Sequence, residues 1–497
     1  MTSLNSKIAI VGAGAFGLST ALHLAKKGYR NVTVFDYQPY HANAYNPDEG
    51  CDSASSDVNK IYRCSYGHEV EYQDLAFAGR PVWLEWNEQI ASAPAGDLPK
   101  GLMPDMKLFV DCGLLRFSME PELSEYDQEC LVELEKAGLR HWQHVIGEEA
   151  DMTRLKEYEA EDPGQDWDSK LELQRTFQRG TLAAFLDTSA GLTYADKACI
   201  WVRHLCEKAG VHFVLGPSEG KLDDLIVEPR GDSKQVKGLR TKDGKEHFAD
   251  VTIVACGGWT PGIIPDVEGV LETTAGSVVT IDLPKSRQDL WDKFSPEKFA
   301  VWSYGVTTKL GPEYGGFYGF PRTPEGKVKI GYRGRKWTNY QRNPKTGKRL
   351  SVPTTRYTES KTVNLPKKAI GHLKRLVEEM FPDLMSIGIT DTRMCWYTDS
   401  IDNSFVIDYV PGYDKSLFVA SGGSGHGFKF LPVLGQHVVN QLEEVTDQFT
   451  PIWRWRLPIA GSDPNGLTEG EFSGRNLADL EMATEKDWTW SEAASKL

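Results

Sequence analysis

"KIAIVGAGAFGLSTALHLAKKGYRNVTVFD", residues 7–36, is the stretch on which the reading of the fold turns. Its first part, Ile8-Ala9-Ile10-Val11, is continuously apolar, as a strand buried on both faces of a parallel sheet requires. Gly12, Gly14 and Gly17 follow as G-x-G-x-x-G. Leu18, Ala21, Leu22 and Ala25 then recur at helical spacing, and Gly28 ends the helix. "NVTVFD" is a second strand, ending in Asp36. In such a unit Gly12 permits the tight turn, Gly14 lets backbone approach a pyrophosphate, and Gly17 lets helix and strand pack closely. The helix start, around Phe16, offers free N–H groups to phosphates, and Asp36 suits a ribose hydroxyl pair. A lone glycine triad says little. In its full strand–helix–strand setting it predicts a dinucleotide site, without choosing between NAD and FAD.

Farther along, "ADKACIWVRHLCEKA" reads as a helix and "GVHFVLG" (210–216) as a strand. "ADVTIVACGGWTP" (249–261) is a further strand running into Gly257-Gly258. These are either core strands alone or a return of the chain to the nucleotide.

The chain has 497 residues, 40% hydrophobic and 25% charged, an ordinary globular balance. A net charge of -14 gives no general attraction to nucleic acid or anionic membranes. The basic stretch at 333–349 reads as a solvated loop. No apolar run approaches the ~20 residues that span a bilayer, and the start of the chain reads as lacking a signal peptide. Eight scattered cysteines with no C-x-x-C suggest neither zinc nor a disulfide framework. His141 and His144 are spaced for a shared metal but read as surface residues, so no metal is expected. Ser495-Lys496-Leu497 reads as a peroxisomal address, with the import receptor as the implied partner.

Three further stretches carry a specific likeness: "DVNKIYRCSYG" (57–67), "GFYGFPRTPEGKVKIGYRG" (316–334), and "CWYTDSIDNSFVID" (395–408) with "SGGSGHGFKFLPVLG" (421–435). In this order, behind the glycine motif, the chain resembles the monomeric sarcosine oxidase and amadoriase family of FAD-dependent amine oxidases. That group includes pipecolate and saccharopine oxidases and fungal biosynthetic members. The resemblance spans about residues 7–440. It implies a D-amino acid oxidase-like α/β (α+β) architecture: a Rossmann-like FAD-binding domain from 1–83, 187–258 and 402–450, interleaved with a mixed-sheet substrate domain from 84–186 and 259–401, then a tail, 451–497.

The resemblance also implies roles. Cys395 takes the place of the cysteine joined through sulfur to the flavin 8α carbon, a tether that favours electron uptake from an amine. Lys60 falls beside the flavin. Gly425, His426, Gly427 and Phe428 run along the pyrimidine ring, at the expected start of an apolar helix near Phe428. Lys329 stands close to flavin N5, where a fixed ammonium assists electron transfer to oxygen. Arg63 and Lys429 hold the substrate carboxylate, and Tyr318 lines its cavity. Arg333 and His426 depart from amadoriases, which have an acidic residue and commonly arginine there. Arg333 also departs from the sarcosine oxidase branch. A cation at 333 suits either a second carboxylate or a polar ring substituent.

The expectation is an FAD-dependent oxidase of a carboxylate-bearing secondary amine, with O2 as acceptor and hydrogen peroxide as product. A biosynthetic oxidation of an N-methylated aromatic amino acid followed by ring closure stays open. So do a flavin dehydrogenase and a non-catalytic nucleotide-binding protein. Oligomeric state is not readable.

Overall fold

The computed structural model describes residues 3–176, 182–305, 315–355, 358, 364–457 and 473–490. Ser495-Lys496-Leu497 lie outside these residues. Two large sheets organise the chain. The first has six strands in the order Val406–Tyr409, Leu417–Ser421, Val251–Val254, Lys7–Val11, Asn31–Asp36 and His212–Leu215. All its neighbours pair in parallel except the edge strand Val406–Tyr409. The predicted strands at 7–11, 31–36, 210–216 and 249–254 therefore sit side by side.

The first helix is Ala15–Lys27, with Leu18, Ala21, Leu22 and Leu24 buried against the sheet. Each such leucine contributes about 2 kcal/mol through apolar burial. Gly28 ends it at φ 102°, a left-handed conformation that glycine adopts without strain. The predicted helix after residue 194 is Ala195–Lys208.

The second sheet is mixed and has eight strands. Its long members are Leu271–Asp282, Lys327–Trp337 and the edge strand Asp391–Ser400. The first of these pairs with both others, setting Thr280 opposite Lys329 and Gly276 opposite Cys395. Lys60–Tyr62, Gly191–Thr193 and Phe109–Val110 form a small three-stranded sheet in that order.

Three readings are corrected. The basic stretch 333–349 is not simply a loop: its start completes the strand Lys327–Trp337, and Tyr340–Arg342 pairs with Arg349–Ser351. The apolar helix does not begin near Phe428. Phe428–Phe430 is one 3-10 turn, and the α-helix is Leu434–Leu442. Four glycines within six residues, Gly422, Gly423, Gly425 and Gly427, and then Pro432 prevent an earlier helical start. His144 is not a surface residue; it is fully buried, with Nδ1 3.1 Å from the Asp151 carbonyl oxygen. Among the described residues no group of three His, Cys, Asp or Glu side chains is placed to hold a metal. No described helix is long and apolar enough to cross a membrane.

Candidate active site

A cavity of about 1120 Å³ runs between the two sheets. That exceeds the roughly 300–1,000 Å³ of a single small-ligand site, leaving room for a dinucleotide and a substrate together. One end is the glycine turn. Gly12 has φ 107°, and a Cβ there would lie 2.5 Å from the Ala255 oxygen. A Cβ at Gly14 would meet the Ser55 hydroxyl at 2.9 Å. At Gly17 it would overlap the Gly12 carbonyl oxygen. The three glycines thus leave no side chain of their own at the turn, so phosphate oxygens can approach the helix start. Ser55 accepts from the Ala15 amide at 2.9 Å.

Asp36 accepts from the Ala13 and Gln38 amides at 2.8 and 2.9 Å, so it braces the turn as well as facing the cavity. Burial outweighs those two hydrogen bonds, and with help from Asp52 raises its pKa to about 6. Gly257 lines the same end, at φ 49°.

The middle of the cavity holds the cations. Lys329 is 1% exposed, although it sits in an alternating strand. Its ammonium donates to Asp57 Oδ2 at 2.9 Å and to the Asn59 carbonyl at 2.6 Å, and lies 4.6 Å from the Phe320 ring centroid. Asp57 Oδ2 also accepts from Lys60 at 2.7 Å. Burial opposes ionisation of Asp57, but Lys329, Lys60 and Arg393 together hold its carboxyl well below the usual carboxylate range. Burial, with Lys60 adding to it and Asp57 opposing it, brings Lys329 down to about 8. Lys60 keeps a raised pKa, since Asp57 and Cys395 outweigh its burial. Its Nζ is 3.5 Å from Cys395 Sγ, which is buried at the cavity wall.

The other end is built on the glycine-rich loop. Gly422 and Gly425 have φ 77° and 73°, which let the loop fold back on itself. Phe16 packs into it; a Cβ at Gly427 would lie 2.7 Å from the Phe16 ring. Phe428 is near-parallel to Trp83, at 6.4 Å between centroids, and the Trp83 indole donates to the Lys429 carbonyl at 2.8 Å. Lys429 Nζ donates to Tyr66 Oη at 2.6 Å and to the His426 carbonyl at 2.7 Å. Tyr66 Oη and His426 Nδ1 are 3.1 Å apart, and His426 Nε2 is 3.0 Å from the Asn403 carbonyl. Because that carbonyl only accepts, Nε2 carries the hydrogen and Nδ1 accepts from Tyr66. Burial first, then Lys429, keeps His426 neutral. Burial and then Arg63 push Lys429 well below its ordinary value.

Arg63 lies 3.8 Å from the Tyr66 ring centroid and donates to Tyr126 Oη at 3.2 Å and to the Ser65 carbonyl. Tyr318 and Arg333 face each other's neighbourhood from adjacent strands, and burial keeps the Tyr318 phenol protonated.

Every candidate cofactor or substrate residue taken from the sequence lines this cavity except Gly17, whose part is packing against Gly12. Sequence reasoning missed Asp57, Ser55, Tyr66 and Tyr126. Asp57 carried a signal, an acid three residues before Lys60. Tyr126 carried none, because it comes from the separate helix Glu125–Lys136.

The arrangement fits FAD: a closed glycine turn, an acid at the second strand's end, and a cysteine and cations on the far wall. The profile described as "DAO: FAD dependent oxidoreductase" matches residues 7–441. L-saccharopine oxidase of Schizosaccharomyces pombe is 27% identical over 470 residues, covering 91% of this chain and 94% of that protein. A monomeric sarcosine oxidase of a Bacillus species is 23% identical over 435 residues, covering 87% of this chain and 92% of that protein. Among solved structures, a thermally stable mutant of fructosyl peptide oxidase superposes with a TM-score of 0.74 at 22% identity, over 97% of this chain and 100% of that one. That last likeness is one of fold.

Proposed function

The chain belongs to the family of FAD dependent oxidoreductases, and from that premise we propose that it is an oxidase of secondary amines that carry a carboxylate. The observation that carries the proposal is the convergence of Arg63, Lys429, Lys329 and Cys395 on one buried cavity. FAD held there would supply the acceptor for a hydride equivalent from the carbon beside the amine nitrogen, with O2 as the final electron acceptor and hydrogen peroxide as the product.

The residues of the chain do the rest. Arg63 offers a planar guanidinium fixed by Tyr66 and Tyr126, and Lys429 has one ammonium hydrogen left after its two protein bonds. Together they fit a carboxylate. The cations of the cavity wall disfavour a further positive charge, so the substrate amine is held in its neutral, reactive form. Lys329 likewise keeps one hydrogen free and presents a fixed positive charge, which stabilises the superoxide-like charge of the first electron transfer. Cys395 is the residue proposed to tether the flavin, with Lys60 beside its sulfur. The imine product then hydrolyses. Delivery to peroxisomes through Ser495-Lys496-Leu497 would suit a peroxide-releasing reaction.

The test is oxygen uptake with saccharopine, pipecolate, sarcosine and N-methylated aromatic amino acids. Stoichiometric peroxide from one of these supports the reading. Reduction of an artificial electron acceptor with no peroxide would assign a dehydrogenase instead.

A further inference from the structure

Arg333 is a cation in the substrate end of the cavity that the protein leaves without a counterion. Its Nε is buried with no hydrogen-bond partner; the group that acts on it most is Tyr397, a neutral phenol whose ring centroid lies 5.3 Å from the guanidinium carbon and whose hydroxyl faces the guanidinium. No carboxylate lies within 4.0 Å of Arg333 among the described residues; the same holds for Arg63 and Lys429. The nearby acids are committed elsewhere. Asp399 accepts from Lys336 at 2.9 Å and from Thr274 at 2.6 Å, and Asp402 accepts from Arg456 Nε at 2.7 Å. Asp57 serves Lys60 and Lys329.

The position is built. A Cβ at Gly276 would lie 3.5 Å from Arg333 Cγ, and one at Gly425 would lie 2.5 Å from Nη2. Two glycines, one on the strand Leu271–Asp282 and one on the glycine-rich loop, thus leave the slot the side chain occupies. Tyr397 covers its face. Arg63, Lys429 and Arg333 all line the same cavity.

We propose that the substrate carries two carboxylates, one on each arm of the secondary amine, and that Arg333 binds the second. The substrates are therefore N-carboxyalkyl amino acids. This rests on the amine-oxidase reading above. One carboxylate satisfies the pole formed by Arg63 and Lys429 and leaves Arg333 a desolvated, unpaired charge. A neutral hydroxyl or ring would leave it so, whereas a carboxylate matches the planar fork with two parallel bonds. The Tyr397 hydroxyl stands ready to donate to the same group.

The test uses thioether analogues, in which sulfur replaces the amine so that binding is read without turnover. Thiodiglycolate has two carboxylates and (methylthio)acetate has one. Their dissociation constants are read from the perturbed flavin absorbance of the holoenzyme. Wild type should bind thiodiglycolate at least ~10-fold more tightly, about what one buried charge-assisted contact contributes. Arg333→Met should bring the ratio to about one, and Arg333→Lys should restore part of it. A ratio near one in wild type, or one unchanged in Arg333→Met, overturns the proposal. Failure of the amine-oxidase reading looks different: no amine of either class would reduce the flavin, although dithionite does.

Discussion

Asp57 and Lys329, 272 residues apart in the chain, meet in a 2.9 Å ion pair inside the cavity. The acid comes from the loop leading into the strand Lys60–Tyr62, the lysine from the strand Lys327–Trp337. The pair joins the two sheets' regions and fixes a buried ammonium where the electrons are proposed to leave.

Lys329→Met should slow reoxidation of the reduced enzyme by O2 about 10²–10³-fold, the usual cost of removing a fixed charge from a developing anion. Reduction by substrate without oxygen should change far less. Stopped-flow measurement of the two half-reactions separates them, and loss of the reductive half-reaction alone would place Lys329 in substrate binding.

The pH dependence follows from the same residue. Burial brings Lys329 down to about 8. Below that pH the ammonium is charged; above it the charge is lost. The oxygen reaction should therefore be fast and flat at low pH and fall as pH rises through about 8. In Asp57→Asn the counterion is gone, the charged form is less favoured, and the falling limb should move to lower pH. A limb that stays in place would separate Lys329 from the oxygen reaction.

Cys395→Ser should retain FAD but release it on acid precipitation, with the yellow colour moving from pellet to supernatant. If wild type releases its flavin in the same way, there is no tether at Cys395.

Gly17→Ala tests the turn. The new methyl group would overlap the Gly12 oxygen, and backbone cannot yield as a flexible side chain does. The substitution should cost about 3 kcal/mol and reduce FAD content, read from the unfolding midpoint and the ratio of flavin to protein absorbance. Full flavin content at unchanged stability would show that the helix can shift.

The strands at 7–11, 31–36 and 249–254 were legible because parallel strands are apolar on both faces and need no partner to be recognised. Lys329 was legible from the motif around it, although its alternating strand reads as half solvated. The helix Leu434–Leu442 was placed too early because an apolar run does not show where glycines delay its start. His144 read as surface because the helix Glu149–Glu161, whose Asp151 carbonyl oxygen faces its ring, lies beyond the local pattern. Tyr66 and Tyr126 were invisible for a related reason: what they do depends on Arg63 and Lys429 arriving from elsewhere.

The most direct test of the account is anaerobic. The holoenzyme is mixed with saccharopine, pipecolate, sarcosine and an N-methylated aromatic amino acid, and absorbance is followed at about 450 nm, the oxidised flavin band. The account predicts rapid bleaching by a carboxylate-bearing secondary amine, fastest where both arms are acidic. A flavin that dithionite bleaches and none of these amines touches would contradict it.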